Sequence, residues 1–120
     1  MSILIVDDDV DVREFLEIFI KEEGYRVDIA NDGKIALSLL NQNKYKVVFL
    51  DLKMPDLNGV ETLRHIKERY PDVVVVIITG EKHCKREKKA REIGVFEVVH
   101  KPFTLDRMRE VLKRVYEKRK

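Results

Sequence analysis

The sequence predicts an α/β fold: a five-stranded parallel sheet of order 2-1-3-4-5, doubly wound by five helices. Two observations carry this. Runs such as Ile3-Leu4-Ile5-Val6 and Val47-Val48-Phe49-Leu50 are apolar without a break, as strands buried on both faces require. Helical patterns alternate with such runs along the whole chain, and strict βα alternation implies right-handed crossovers with helices on both sheet faces. The order 2-1-3-4-5, the flavodoxin-like arrangement, sets the first strand beside the third.

The elements follow in order. After the strand at 3–6, residues 10–23 carry helical periodicity, and Gly24 is suited to end that helix. Residues 26–30 alternate like a strand. Asn31-Asp32-Gly33 is a turn, and 34–41 reads as a short helix with Ile35, Leu37, Leu39 and Leu40. The third strand is 47–50. Pro55, Asn58 and Gly59 punctuate the loop 51–58. A helix with Leu63, Ile66 and Tyr70 on one face is stopped by Pro71. Residues 73–78 are the most apolar strand and are placed centrally. Residues 85–93 form a helix closed by Gly94, 97–100 the last strand, and the last helix runs from 105 towards 118 with Thr104 as its N-cap.

Length and composition bound the rest. A chain of 120 residues is one domain with room for a core, and 44 % hydrophobic residues argue against disorder. No apolar run is long enough to span a bilayer, and Met1-Ser2-Ile3 lacks the basic and apolar regions of a signal peptide. The lone Cys84 excludes an internal disulfide and suits a reducing compartment, so the expected location is cytoplasmic, without membrane insertion. A net charge of +2 gives no argument for nucleic acid.

The chemistry collects at strand ends. Asp7 and Asp8 follow the first strand, Asp51 the third, and Lys101 the fifth. In a parallel sheet these carboxyl ends share one edge, where ligands bind. Three crowded carboxylates repel one another, and a hard divalent cation resolves the conflict; Mg²⁺, with Mn²⁺ as a substitute, prefers oxygen ligands. A carboxylate beside such an ion and a lysine is suited to accept a phosphoryl group, whose transition-state charge both cations neutralise. Thr79 could add its hydroxyl to another phosphoryl oxygen. Taken singly, each residue has an ordinary reading: Asp8 or Asp9 as a helix cap, Asp51 as a turn residue, Lys101 as a surface lysine. Four such residues at strand ends make the joint reading the stronger one.

The motifs Val6-Asp7-Asp8-Asp9, Leu50-Asp51-Leu52-Lys53-Met54-Pro55, Asn58-Gly59, Thr79-Gly80 and Lys101-Pro102-Phe103 resemble those of the response-regulator receiver (CheY-like) family, over nearly the whole chain. The resemblance implies that Asp51 takes a phosphoryl group from the histidine of a sensor kinase or a histidine phosphotransferase. It implies that Asp8, Asp51 and the Lys53 carbonyl ligate Mg²⁺, that Asp7 acts mainly through water, and that Thr79 and Lys101 contact the phosphoryl group. The Lys101-Pro102 bond would be cis. With nothing after the fifth helix, the expectation is a stand-alone receiver without an output domain, signalling to a downstream protein and not itself a turnover enzyme.

Two further features bear on that expectation. Receivers usually carry an aromatic residue three positions before the lysine; Val98 stands there, and Phe96 falls before the strand, so switching has to work through backbone and helix shifts. Lys53 and Glu81 occupy positions that tune hydrolysis of the acyl phosphate in the family. If they pair across the site mouth they hinder the attacking water, and Lys53→Ala should then release phosphate faster than wild type in a phosphate-release assay.

The first helix has a stripe of Val12, Leu16, Phe19 and Ile20 for the core, with Phe15 and Ile18 beside it. Those two either widen the buried face or form, with Val12, Pro102 and Phe103, a docking patch resembling the surface that receivers offer to a kinase's helical bundle. The fourth helix is basic and thinly anchored, mainly by Ala90 and Ile93, which suits a shifting output element. His65 and His100 are expected at the surface, and His83 and Cys84 in a loop. Competing classes are an aspartate-dependent phosphatase, which wants a second acid where Lys53 stands, an unphosphorylated interaction domain, and a flavin binder, for which no phosphate loop follows the first strand.

Overall fold

The computed structural model describes residues 2–53, 59–80 and 85–119. Its elements run β1 (Ser2–Val6), α1 (Val10–Glu22), β2 (Arg26–Ala30), α2 (Gly33–Gln42), β3 (Val47–Asp51), α3 (Gly59–Arg69), β4 (Val74–Thr79), α4 (Lys85–Ile93), β5 (Glu97–His100) and α5 (Leu105–Arg119). The strands form one parallel sheet of order β2-β1-β3-β4-β5, as the alternation predicted.

Strand alternation divides the core in two. Leu4, Val6, Val48, Leu50, Val75, Ile77 and Val98 face Ala36 and Leu40 of α2, Leu63 and Ile66 of α3, and Ala90 of α4. Ile3, Ile5, Val47, Phe49, Val76, Ile78 and Val99 face Leu16, Phe19 and Ile20 of α1 and Met108, Val111, Leu112 and Val115 of α5. Every residue of β3 and β4 is buried, which is why these runs carry no polar alternation. The edge strand β2 is mostly exposed and reads as alternating for that reason.

Most boundaries fall within a residue of the sequence expectation, and the small differences come from caps. Asp9 is the N-cap of α1, accepting the N–H groups of Asp11 (3.0 Å) and Val12 (3.4 Å). Asp32 accepts the Ile35 N–H at 2.8 Å, which lets α2 begin at Gly33. Thr104 Oγ1 accepts the Arg107 N–H at 3.1 Å and opens α5. Gly24 ends α1 at φ +95°, a conformation that side chains rarely adopt. β4 begins at Val74 and extends to Thr79, so the threonine is a strand residue.

Two expectations are corrected. His100 is half-buried, because it faces α4 and its Nε2 lies 2.7 Å from Glu87 Oε1. The α4 anchor is more than Ala90 and Ile93: Glu87 is only 3 % exposed and binds the sheet through that histidine. His65 is exposed as expected. His83 and Cys84 lie outside the described residues.

Candidate functional site

The carboxyl edge of the sheet brings the predicted residues together. Asp7 follows β1 and is fully buried. Its main-chain N–H donates to the Ala30 carbonyl at 3.1 Å, its Oδ1 accepts the Asp9 N–H at 2.9 Å, and its Oδ2 accepts the Lys101 ammonium at 2.9 Å. Asp51 ends β3 and is 5 % exposed; its Oδ1 accepts the Lys53 N–H at 3.1 Å and its Oδ2 accepts from Lys101 Nζ at 3.3 Å. Asp8 is exposed. One ligand oxygen from each of Asp7, Asp8 and Asp51 lies within 4.8 Å of the other two. No other such group of acids, histidines or cysteines occurs among the described residues.

Lys101 is placed by the sheet and by the turn after it. Its N–H donates to the Thr79 carbonyl at 2.8 Å, and the Lys101-Pro102 peptide bond is cis. Thr79 is buried at the end of β4. Asp8, Asp9, Asp51, Lys53, Thr79, Gly80 and Lys101 line a cleft of about 360 Å³, with the Asp7 carboxylate fully buried behind Lys101. Lys53 is exposed at its mouth, whereas Glu81, its expected partner, lies outside the described residues.

The electrostatics are unbalanced. Burial raises the Asp51 carboxyl from its ordinary 3.8 to about 6; the Asp7 charge adds to this, while the Lys53 N–H and Lys101 pull the other way. Burial by itself would lower Lys101, but its hydrogen bond to Asp7 and the charges of Asp51 and Asp7 prevail, and its ammonium is held above the ordinary range. One ammonium therefore serves the two buried carboxylates, and the exposed Asp8 adds a third acid beside them. A hard divalent cation fits this donor set: two buried carboxylates short of positive charge, an exposed third, and oxygen donors throughout.

Gly59, which the sequence marks as loop punctuation and as part of the Asn58-Gly59 motif, also has a structural part in the site. Its N–H donates to the Leu52 carbonyl at 3.0 Å. A Cβ there would lie 2.3 Å from Leu52 Cα and 2.4 Å from the Asp51 carbonyl oxygen. The first turn of α3 thus rests directly on the backbone that carries Asp51. Gly59→Ala should cost about 3 kcal/mol, the upper part of the usual range for overpacking, read as a lowered denaturant midpoint.

The residues expected to form a docking patch also gather. Phe15 is 42 % and Ile18 60 % exposed, so the wider buried face is ruled out for both. The Phe15 and Phe103 rings lie 5.9 Å apart. Val12, Phe15, Pro102 and Phe103, with Asp9, Asp11 and Lys101, line a groove of about 520 Å³ that shares Asp9 and Lys101 with the acidic cleft. Ile18 lies in an adjoining hollow with Phe15, Phe19, Leu105 and Arg109.

Comparison with known proteins agrees with this geometry. The family model described as the response regulator receiver domain matches residues 3–113. A CpxR homologue from Haemophilus influenzae, a transcriptional regulatory protein, is 36 % identical over 94 % of this chain. The response regulator ArlR of Staphylococcus epidermidis is 33 % identical over the same share. The chain spans about half the length of these curated relatives, 51 % and 53 %. Among solved structures, the receiver domain of NtrX from Brucella abortus is 33 % identical with a TM-score of 0.90, covering 96 % of this chain and 98 % of that one. The response regulator TrrA of Thermotoga maritima, solved in complex with Mg²⁺-BeF, is 32 % identical with a TM-score of 0.86 over 95 % and 97 %. Sequence, fold and the acidic edge converge: the chain belongs to the response-regulator receiver family of two-component systems.

Proposed function

We propose that this chain is a single receiver domain that accepts a phosphoryl group on Asp51 from the histidine of a kinase or phosphotransferase. It then signals by altered contact with another protein. The observation that carries this is the Asp51 carboxylate, at the floor of an open cleft, 3.3 Å from Lys101 Nζ and clustered with two further carboxylates.

The chemistry follows from that placement. One Asp51 oxygen attacks phosphorus, the bond from phosphorus to the donor nitrogen breaks, and its electron pair stays on the imidazole. An acyl phosphate results. The Lys53 N–H holds the other Asp51 oxygen, so the attacking one is presented to the cleft. Lys101 is poised to turn its ammonium from the Asp carboxylates to a phosphoryl oxygen, and the Thr79 hydroxyl lines the same space. Asp8, Asp51 and the Lys53 carbonyl would hold Mg²⁺, or Mn²⁺, and Asp7 would act from behind through water. When bound, the ion supplies positive charge against the carboxylates and the phosphoryl oxygens.

The test is incubation with a small acyl phosphodonor and Mg²⁺. The wild type should retain one acid-stable, base-labile phosphoryl group and Asp51→Asn none. Rapid turnover of donor without retained phosphate would instead support a phosphatase.

The apolar groove beside the cleft fits the helical bundle of a histidine donor. Phe15→Glu should slow transfer from a phosphorylated histidine kinase by about tenfold, the loss expected when an interface anchor is removed. Transfer at the wild-type rate would exclude this face.

A further inference from the structure

The residue just before Lys101 is tied to a helix by a buried carboxylate. His100 closes β5, and its Cα pairs in register with Thr79. Val98 and Ile77, two residues earlier in each strand, both pack into the α3/α4 side of the core, so His100 and Thr79 point to that side as well. There His100 Nε2 meets Glu87 Oε1 at 2.7 Å. Glu87 Oε2 accepts from Arg91 Nη2 at 3.0 Å and Nε at 3.2 Å, one turn further along α4. Glu87 and Ala90 are the buried residues of this helix, with Ile93 packed partly against the same core, so this polar contact is one of the few that tie it to the sheet. At Val98, where an aromatic side chain is usual in receivers, only a small apolar group is buried.

We propose that Glu87 and His100 are positioning residues that form a strut between α4 and the phosphoryl site, linking the placement of the helix to the state of Asp51. The strut reaches β5 next to two groups of the site, since His100 is bonded in sequence to Lys101 and lies opposite Thr79 of β4. A buried carboxylate gripped by an imidazole has a narrow range of good geometries, unlike an apolar contact that slides. A shift of Lys101 and Thr79 towards a phosphoryl group therefore moves His100, and Glu87 carries the displacement into α4. Linkage makes the effect reciprocal: anything that holds α4 changes affinity at the site. The inference rests on Asp51 being the acceptor.

The test uses beryllofluoride with Mg²⁺ as a stable stand-in for the phosphoryl group, and amide exchange of the full chain as the readout. In the wild type, amides around Asp51 and Lys101 should respond, and exchange at Ala90 and Ile93 in α4 should change about fivefold or more. His100→Gln keeps an N–H donor for Glu87 and should behave alike. His100→Val and the double variant Glu87→Leu/His100→Val should fill the site but lose the α4 response; the double variant replaces the buried pair with apolar bulk, so its fold is kept. An α4 response that persists in the double variant overturns the proposal, as does a filled wild-type site with a silent α4. If the Asp51 and Lys101 amides of the wild type do not respond at all, the acceptor reading fails and the strut with it.

Discussion

In metal-free buffer at pH 7, Asp51→Asn should melt higher than the wild type even though the proposed function has it lose phosphoryl uptake. Burial and the Asp7 charge raise the folded-state value of this carboxyl from 3.8 to about 6. Such a shift is worth about 3 kcal/mol at most, and the amide keeps only part of the carboxylate's hydrogen bonds, so a gain of about 1–3 kcal/mol is expected. For a domain of this size that is on the order of 5–10 °C. The sign follows from proton linkage. Between pH 4 and pH 6 the folded state binds more protons at Asp51 than the unfolded state, so this residue's contribution to stability falls as pH rises through that window. The difference between variant and wild type should therefore vanish near pH 4 and reach its full size above pH 6. Added Mg²⁺ should reverse the order by stabilising the wild type alone, with a midpoint that weakens below pH 6 as protons compete for the ligand. Melting scans from pH 4 to pH 8, with and without Mg²⁺, would decide it; a variant no more stable than wild type at pH 7 would mean the crowded carboxylates are not strained.

Lys101→Ala should have the other large effect. The ammonium lies 2.9 Å from Asp7 Oδ2 and 3.3 Å from Asp51 Oδ2, and it is the cationic side chain that lines the interior of the cleft. Loss of one preorganised donor to a developing oxyanion costs about 10²–10³ in rate, so uptake from a small phosphodonor should fall by that factor. The variant should also lose a few kcal/mol of stability, since two buried carboxylates are left facing each other without a cation. That loss should shrink as pH falls towards 6, because without Lys101, which lowers it, the Asp51 carboxyl takes up its proton at a higher pH than in the wild type. Lys101→Arg should restore little uptake, because a planar fork does not fill the place of a compact ammonium. Uptake within about tenfold of wild type would show that charge neutralisation by Lys101 is not part of the reaction.

The buried strands were legible because a strand covered on both faces cannot afford a polar residue until its end. β3 and β4 are buried throughout, and the polar groups Asp51 and Thr79 come at their last positions. Parallel topology then puts those last positions on one edge, and so the site could be assembled from residues far apart in the chain. Helix periodicity was less decisive. It placed Phe15 and Ile18 beside the core stripe of α1, but their exposure depends on where α5 lies. That helix covers Phe19, with the Arg109 guanidinium 5.6 Å from its ring, and leaves Ile18 open. The role of Glu87 was hidden by its neighbours in a strongly charged helix. Its spacing of three from Ala90 was the available signal, because an acid on the apolar side of a helix needs a partner.

What the sequence by itself determined is the order of elements, the buried strands and which strand-end residues meet at one edge, because these depend on local periodicity and on which residues end each strand. Only the tertiary structure decided which side of α1 stays open, why α3 must start with a glycine against the Asp51 backbone, and that a histidine joins β5 to α4. These are contacts between elements distant in the chain. Their distances are set by how helices settle on a twisted sheet, and no local pattern of residues encodes them.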